Sequence, residues 1–451
     1  MFKKILIANR GEIAIRVIRA CREMGIQTVA IHSEADRESL HVKLADKSIC
    51  VGPAPTLDSY LNIPSIISAC EISGADAVHP GYGFLAENED FAEVCEAHGL
   101  SFIGPSPHAI AKMGNKIEAK KIAKKAGVSL IPGTESPVSS EDPELKKIAR
   151  KIGYPLIVKA SGGGGGKGMR IVTHEEALLD QVRMASNEAK LSFGNGDVYL
   201  EKYFEEPRHI EVQILGDKRG KVVALPERDC SVQRRYQKLV EESPSPAVDS
   251  KLRAKLAKAA RKIAEEVDYH TVGTIEFLLD KKGNFFFMEM NTRIQVEHPV
   301  TEMVTGLDLI QWQIRLAAGE SLDFDEDNVR IRGHSIECRI NAEDPDHDFI
   351  PNPGLIDLVI FPGGPGVRVD SHIYSGYTVP SYYDSLLAKV IVNGVNREAA
   401  IARMLRALSE FKLEGIRTTI PFQKQVLEHD AFRYGDVTTN FIAKHIFRNE
   451  H

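Results

Sequence analysis

Short apolar runs alternate with amphipathic segments from residue 1 to about residue 110, and this alternation constrains the fold more than any other feature. The predicted strands are Lys4–Ala8, Gln27–His32, Ala75–Val78 and Leu100–Ile103, and the predicted helices are Glu12–Met24, which ends at Gly25, and Asn88–His98. Strands that alternate with helices pack as a parallel sheet covered by helices. We therefore predict an α/β, Rossmann-like domain over residues 1–114.

The turn after the first strand, Asn9-Arg10-Gly11, argues against a dinucleotide site. It lacks the three spaced glycines that allow a backbone to approach a pyrophosphate. The topology is thus Rossmann-like without the dinucleotide chemistry.

The pattern of apolar residues changes after Gly114. The segments predicted beyond it are a Lys-rich helix at Lys116–Ala126, a Pro/Gly/Ser linker at Ile131–Ser140, a helix at Pro143–Lys151, strands at Leu156–Ala160 and Met169–Val172, an acidic linker at Asp323–Asp327, and a helix at Arg397–Phe411. We predict a central domain over 115–330, with a mobile lid subdomain at about 132–203. Short strands and Gly/Pro turns predict a mixed α+β C-terminal domain over 331–446.

Composition excludes several classes of protein. Lys and Arg total 57 against 63 Asp and Glu, a net charge of −6, whereas nucleic-acid binders usually carry a basic excess. No apolar run is long enough to span a membrane, and the N-terminal pattern is not that of a signal peptide, so we expect a cytoplasmic protein. The six cysteines form no Cys-x-x-Cys pair, which argues against a zinc ribbon or a redox dithiol.

Five consecutive glycines, Gly162, Gly163, Gly164, Gly165 and Gly166, separate two predicted strands. This run is not a Walker A loop, because Lys167 is followed by Gly168 and then by a strand rather than by Ser or Thr and a helix. Glycines let backbone N–H groups converge on phosphate oxygens, and Lys159 on the preceding strand adds a positive charge. We predict a flap that contacts phosphate.

A hairpin pattern surrounds Asp280–Asn284. A turn at Lys282-Gly283 places Glu276 opposite Glu289, whereas a turn at Gly283-Asn284 places Glu276 opposite Asn291. Both registers put the three side chains on one face of the sheet. Facing carboxylates repel unless they share a proton or a cation, so we predict a magnesium site that nucleotide phosphates complete.

Two polar alternations accompany the hairpin. Asn291, Arg293, Gln295 and Glu297 continue past it with period two, which predicts a strand of substrate contacts. Polar and apolar residues alternate in the same way over residues 209–213. This second pattern is equally consistent with an ordinary solvent-exposed face of a strand and with a functional site.

These residues together resemble a biotin carboxylase of the ATP-grasp superfamily along nearly the whole chain. The motifs that carry the resemblance are Asn9–Ala14, His79–Asn88, the glycine run, Gln233–Arg235, Met288–Glu302 and Glu337–Arg339. The glycine run is shared by the wider superfamily, whereas the segment Arg293–Glu302 and the motif Glu337–Arg339 narrow the resemblance to carboxylases.

The resemblance implies an ATP-dependent ligase that converts bicarbonate to carboxyphosphate and then carboxylates a biotin ureido nitrogen. Its implied cofactors are ATP and magnesium (or manganese), and biotin is a substrate held by a biotin carboxyl carrier protein or domain. The alternative is another ATP-grasp carboxylate–amine ligase, which has no use for Glu297 and Arg339 together.

The resemblance also implies a role for each matching residue. ATP would be bound by the glycine run together with Lys116, Lys159, Glu201, Lys202, Phe204, His209, Gln233 and Tyr236, and magnesium by Glu276, Glu289 and Asn291. Bicarbonate would be held by Lys238, Arg293, Gln295 and the Val296 backbone, with Glu297 as general base, and biotin would contact Tyr82 and Arg339. The implied catalytic set is Arg293, Glu297, Lys238 and Arg339. Relatives often carry His where this chain has Tyr236.

Partners follow from what the sequence lacks. There is no Met-Lys-Met biotin attachment motif, the nearest match being Ala111–Met113, and no segment for a carboxyltransferase. We therefore expect a subunit that works with a carrier protein and a separate carboxyltransferase, for either pyruvate or acetyl-CoA, and the segment Arg235–Glu241 favours pyruvate. Arg19 and Glu23 are expected at a homodimer interface, whereas Pro365, in place of an aromatic residue of the family, weakens that inference.

Overall fold

The structure is a computed structural model that describes residues 1–161 and 169–447, apart from the side chain of Phe193. The predicted phosphate-binding glycines, Gly162–Gly166, lie outside the described residues. In the part of the chain that is described, no helix has the length and apolar character needed to cross a bilayer.

The N-terminal domain confirms the Rossmann-like prediction. Its elements are β1 (Lys4–Ile7), α1 (Gly11–Glu23), β2 (Gln27–Ser33), α2 (Leu40–Leu44), β3 (Lys47–Gly52), α3 (Ile63–Ser73), β4 (Ala77–His79), α4 (Glu89–Ala97), β5 (Ser101–Phe102) and α5 (Pro107–Gly114). The five strands form a parallel sheet in the order β3-β2-β1-β4-β5. The sequence did not predict α2, β3, α3 or α5. β3 lies at the sheet edge and is mostly exposed, so it has no apolar run that marks a buried strand.

A small subdomain follows. It is preceded by α6 (Lys116–Lys125), which packs with α5, and its own elements are α7 (Leu145–Ile152), β6 (Leu156–Ala160), β7 (Arg170–Val172), α8 (Leu178–Phe193) and β8 (Val198–Lys202). The strands form an antiparallel sheet in the order β7-β6-β8. α7 and α8 cover this sheet through Leu145, Ala149, Val182 and Ala185. The strands that the sequence placed on both sides of the glycine run are therefore confirmed.

A nine-stranded sheet joins the middle of the chain to its C-terminal part. The elements of this region are β9 (Arg208–Gly216), β10 (Val222–Ala224), β11 (Arg228–Arg234), β12 (Gln237–Ser243), α9 (Ser250–Glu265), β13 (Thr271–Leu279), β14 (Phe285–Asn291), α10 (His298–Thr305), α11 (Leu309–Ala317), β15 (His334–Asn341), β16 (Glu343–Asp344), β17 (Ile350–Pro351), β18 (Gly354–Leu355), β19 (Leu358–Ile360), β20 (Val367–Ser371), β21 (Thr378–Val379), β22 (Leu386–Gly394), α12 (Arg397–Glu410), β23 (Lys412–Glu414), α13 (Ile420–Glu428), α14 (Asp430–Arg433) and α15 (Phe441–His445). The sheet order is β14-β13-β9-β11-β12-β15-β22-β20, and β10 pairs with β9. The pairing of β12 with β15 carries the sheet across the predicted boundary at 330/331.

The two faces of this sheet differ sharply in polarity. On β9, Ile210, Val212 and Ile214 belong to an apolar core that includes residues of α9. The alternate residues His209, Glu211 and Gln213 are also buried, which excludes the solvated face that the alternation allowed. A buried polar face in the middle of a sheet points to a site.

The β13–β14 hairpin places Glu276 opposite Glu289, as the first of the two predicted registers required. The turn differs from both alternatives. Leu279 pairs with Phe285 across the loop Asp280–Asn284, and an irregularity between Glu276 and Phe277 shifts the register by one residue. This β-bulge re-aims the strand so that the two carboxylates still face each other.

His79, at the end of β4, is fully buried, and its Nδ1 accepts the N–H of Gly81 at 3.0 Å. Burial lowers the pKa of His79 to about 3. The folded state therefore holds this group neutral, and its contribution to stability is present above pH 6.5, the unfolded pKa, and is lost as the pH falls towards 3.

We expect the unfolding temperature to fall between pH 7.5 and pH 5.5, because each unit of pH below 6.5 costs about 1.4 kcal/mol for such a histidine. In His79→Gln the fall should be smaller, because the titrating group is gone. The control is His108→Gln, at an exposed position, which should fall as the wild type does. The unfolding temperatures are measured by thermal denaturation. Equal falls in the wild type and both variants would show that protonation of His79 does not contribute to the pH dependence.

Candidate active site

A cavity of about 790 Å³ lies where the N-terminal domain, the β13–β14 hairpin and β15 meet. This volume is within the range of small-molecule and cofactor sites. The predicted site residues that line it are Tyr82, Lys116, Lys159, His209, Gln233, Tyr236, Lys238, Glu276, Glu289, Asn291, Arg293, Gln295, Val296, Glu297 and Arg339. The tertiary structure thus brings together residues from every predicted group.

The carboxylate pair at the hairpin has the character of a cation site. Burial and then the charge of Glu276 raise the pKa of Glu289. Burial opposes ionisation of Glu276 as well, but Lys238 and His209 hold its pKa well below the usual range. Hard oxygen donors of this kind suit magnesium. Asn291 is less ready to bind a cation, because its Oδ1 accepts from Arg293 Nη2 (2.9 Å) and its Nδ2 donates to Glu276 (2.9 Å).

Lys238 is the centre of the carboxylate cluster. Its Nζ donates to Glu211 (2.6 Å), Glu276 (3.0 Å) and Glu297 (2.6 Å). Burial disfavours the charged ammonium, but the three carboxylates outweigh it and raise the pKa of Lys238 well above its usual value. His209, Glu211 and Glu276 have ligand atoms within 4.8 Å of one another, the spacing of a metal site. Lys238 donates to both carboxylates of this trio, Glu211 and Glu276.

Glu297 lies between two cations. Its Oε1 accepts from Lys238, and its Oε2 accepts from Arg339 Nη2 at 3.0 Å. Arg339 Nε also donates to Glu241 at 2.6 Å. Burial opposes ionisation of Glu297, but Lys238 and then Arg339 lower its pKa below the usual range. In the absence of substrate Glu297 is therefore a fixed carboxylate of low basicity.

The prediction that a strand continues from Asn291 to Glu297 is wrong. β14 ends at Asn291 and α10 begins at His298, with Pro299 in its first turn. The loop between them is held by side chains instead of by a neighbouring strand: Arg293 Nη1 donates to Ile294 O (3.1 Å), and Lys389 Nζ donates to Val296 O (2.8 Å). The loop still points its polar residues into the cavity.

Three residues predicted to contact the nucleotide do not line this cavity. Glu201 pairs with Lys120 and Lys159, each at 2.5 Å, and the Lys202 ammonium donates to the carbonyls of the loop before β6. Phe204 stacks on Phe286, with ring centroids 5.1 Å apart. Their assignment to ATP binding stays a prediction.

Sequence reasoning missed Arg228 and Glu87. Arg228 is fully buried and donates to Glu211, Gln213, Thr274, Gln295 and Thr301. Glu87 accepts from Arg293 Nε at 2.9 Å and so orients the guanidinium. Glu87 lies within the His79–Asn88 motif, which offered a signal, whereas Arg228 begins an ordinary strand and offered none.

Three family models match the chain in succession. They are described as the biotin carboxylase N-terminal domain over residues 1–110, the carbamoyl-phosphate synthase L chain ATP-binding domain over 115–325, and the biotin carboxylase C-terminal domain over 337–444. Matches to both biotin carboxylase terminal domains favour that family over the alternative of a carboxylate–amine ligase.

Curated relatives and solved structures agree. The chain is 57% identical to the biotin carboxylase of Nostoc sp., over 98% of this chain and 99% of the relative. It is 53% identical to a pyruvate carboxylase subunit of Methanothermobacter thermautotrophicus, over 99% of this chain and 90% of the relative. The biotin carboxylase domain dimer of Hydrogenobacter thermophilus 2-oxoglutarate carboxylase, solved with MgADP, ADP and bicarbonate, superposes with a TM-score of 0.94 at 51% identity, covering 99% of this chain and 98% of that one. The chain therefore belongs to the biotin carboxylase family, whose members are ATP-dependent carboxylases.

Proposed function

We propose that this chain carboxylates biotin on a separate carrier protein, with bicarbonate as the carboxyl source and carboxyphosphate as the intermediate. The observation that carries the proposal is the position of Glu297, held between Lys238 and Arg339 in a cavity that also contains the carboxylate pair Glu276 and Glu289. A carboxylate pair suited to magnesium, a candidate general base and a guanidinium able to stabilise an oxyanion thus lie in one cavity.

The phosphate end of the site is formed by Lys116 and Lys159, both on the cavity wall. Lys159 is bound to Glu201, so ATP phosphates would compete with that carboxylate for its ammonium. Magnesium, held by Glu276 and Glu289, would neutralise charge on the phosphoryl group during transfer. His209, Gln233 and Tyr236 line the same cavity and complete the proposed nucleotide contacts.

Bicarbonate is proposed to bind beside the loop that precedes α10. Arg293 offers a planar guanidinium fork that matches a planar oxyanion, and Glu87 fixes its orientation. Gln295 and the Val296 backbone lie next to it on the cavity wall. The anion would share Lys238 with Glu297, which would raise the pKa of Glu297 from its low value and make it a better base. Glu297 would then remove the bicarbonate proton, and Lys238 would steady the carboxyphosphate.

Biotin is proposed to enter on the side of Tyr82 and Arg339. The ring nitrogen would lose its proton to the departing phosphate and bond to the carboxyl carbon that carboxyphosphate supplies. Negative charge that develops on the ureido oxygen in this step would be stabilised by the Arg339 guanidinium, which Glu241 and Glu297 hold in place.

The assay that tests this function measures ATP cleavage with and without bicarbonate, and then carboxybiotin formation with free biotin. Slow ATP cleavage that requires bicarbonate, and carboxybiotin formed only when all substrates are present, are the expected results. ATP cleavage that is indifferent to bicarbonate would overturn the proposal.

We further propose pyruvate as the final acceptor, a separate carboxyltransferase chain as the partner and a homodimer as the assembly. The segment Arg235–Glu241 and the similarity to the Methanothermobacter relative support the choice of pyruvate, and the dimer of the Hydrogenobacter relative supports the homodimer. Arg19 and Glu23 are both exposed on α1, and Pro365 is exposed before β20. Affinity purification from the native cells, followed by carboxylation assays with pyruvate and with acetyl-CoA, identifies the acceptor.

A further inference from the structure

Lys389, on β22, is a buried cation that none of the proposed catalytic steps uses. Its side chain is 0% exposed, and its Nζ lies 2.8 Å from Val296 O and 3.1 Å from Glu12 Oε1. Val296 belongs to the loop that is proposed to hold bicarbonate. β22 places Lys389 opposite Arg339 on one side and opposite Asp370 on the other.

Glu12 connects Lys389 to the biotin end of the cavity. It lies in the first turn of α1, it is buried, and it accepts a hydrogen bond from the Tyr82 hydroxyl. Asn9 Nδ2 donates to Pro80 O and Tyr82 O, each at 2.7 Å, so the Asn9–Glu12 turn holds both ends of Tyr82. Gly81 has φ +64, and a Cβ there would lie 2.9 Å from Asn9 Nδ2, so this approach requires glycine.

We propose that Glu12 and Lys389 are positioning residues that couple the biotin end of the cavity to its bicarbonate end. This inference rests on the proposed function. Lys389 fixes the Val296 carbonyl, Glu12 fixes the Tyr82 hydroxyl, and the ion pair between them links residues of the N-terminal, central and C-terminal parts of the chain. The Asn9-Arg10-Gly11-Glu12 turn, which has no dinucleotide chemistry, thus acquires a role.

The physical reason for the coupling is the lack of regular structure between β14 and α10. Residues in that loop have no strand partner, so their orientation depends on the side chains that bind their carbonyls. A charged donor to Val296 O, itself held by a buried carboxylate, is a strong constraint because a buried charge pair cannot lose one member cheaply. A shift of Tyr82 when biotin binds would therefore reach the bicarbonate loop through three contacts, Tyr82 to Glu12, Glu12 to Lys389 and Lys389 to Val296.

The test is the KM for bicarbonate in ATP cleavage without biotin, where Tyr82 has no substrate of its own to contact. Lys389→Met should raise this KM by about 10- to 100-fold, the value of a lost hydrogen bond to a charged group. Tyr82→Phe, which removes only the hydroxyl, should raise it by about 3- to 30-fold, the range of couplings carried by packed networks. The KM for ATP should stay within about 2-fold of the wild type in both variants.

The matched control is Tyr383→Phe. Tyr383 lines the same cavity, but its hydroxyl donates to Ala54 O at 2.7 Å and not to Glu12. Tyr383→Phe should leave the KM for bicarbonate unchanged. In a Lys389→Met background, Tyr82→Phe should raise this KM no further, because the contacts from Tyr82 to Val296 are already broken at Lys389. If Lys389→Met fails to fold, the comparison of Tyr82→Phe with Tyr383→Phe still tests whether the Tyr82 hydroxyl affects the KM for bicarbonate.

A KM for bicarbonate that Tyr82→Phe leaves unchanged, as Tyr383→Phe does, would overturn this inference alone. Effects of Tyr82→Phe and Lys389→Met that multiply in the double variant would also overturn it, because they would act independently. Bicarbonate-independent ATP cleavage in the wild type would instead overturn the proposed function, and this inference with it.

Discussion

Glu297→Gln is expected to suppress both bicarbonate-dependent ATP cleavage and biotin carboxylation by about 10²–10⁴-fold, the usual value of a positioned base. Glutamine keeps the shape of the side chain but has only one acceptor oxygen for the two donors, Lys238 and Arg339, and it cannot take the bicarbonate proton. Since the base acts before biotin takes part, the ratio of carboxybiotin formed to ATP consumed should change little.

Arg339→Gln should behave differently. Carboxyphosphate can still form and hydrolyse, so slow ATP cleavage should persist, whereas carboxylation should fall much further because nothing offsets the charge on the biotin oxygen. The ratio of carboxybiotin to ATP consumed, measured with free biotin, should therefore drop sharply in this variant. Arg406→Gln, which breaks an Arg–carboxylate pair on α12 outside the cavity, is the matched control. Equal drops of the ratio in the Glu297 and Arg339 variants would contradict the assigned roles.

Glu289→Gln is expected to abolish most magnesium-ATP turnover while the protein stays folded. The side chain keeps its shape but loses an anionic oxygen opposite Glu276, so the hard-cation site loses half of its carboxylate pair. Turnover at a series of magnesium concentrations, and calorimetric titration of magnesium with nucleotide, measure the loss. Glu414→Gln, at an exposed position on β23, is the control. Near-normal turnover in Glu289→Gln would show that the hairpin does not hold the cation.

The same variant should be at least as stable as the wild type without ligands near pH 7.5. Burial and the charge of Glu276 raise the pKa of Glu289, so this group favours the folded state at low pH and costs stability as the pH rises through its folded pKa. Glutamine has no such cost. The difference in unfolding temperature between Glu289→Gln and the wild type should therefore shrink towards pH 4.5. At that pH the Glu289 carboxyl of the wild type is protonated in much of the unfolded chain as well as in the folded protein.

Much of the fold could be predicted from periodicity. The apolar run at Lys4–Ala8 and the helix after it were enough to predict a parallel α/β layer, because a buried strand and an amphipathic helix each leave a local pattern. β3 was missed for the same reason, since an exposed edge strand leaves none. The polar run from Asn291 to Glu297 misled us, because alternation along a loop held by side-chain donors looks the same as alternation along a strand.

The chemistry of the site divides in the same way. The sequence by itself determined which residue types were present, and the hairpin pattern already paired Glu276 with a second oxygen donor on one face. Only the tertiary structure decided that Lys238 bridges three carboxylates, that Arg228 is buried beneath them, and that Lys389 reaches Val296 and Glu12. These contacts join residues far apart in the chain, and their energies depend on burial and on opposing charges that no local pattern of residues records.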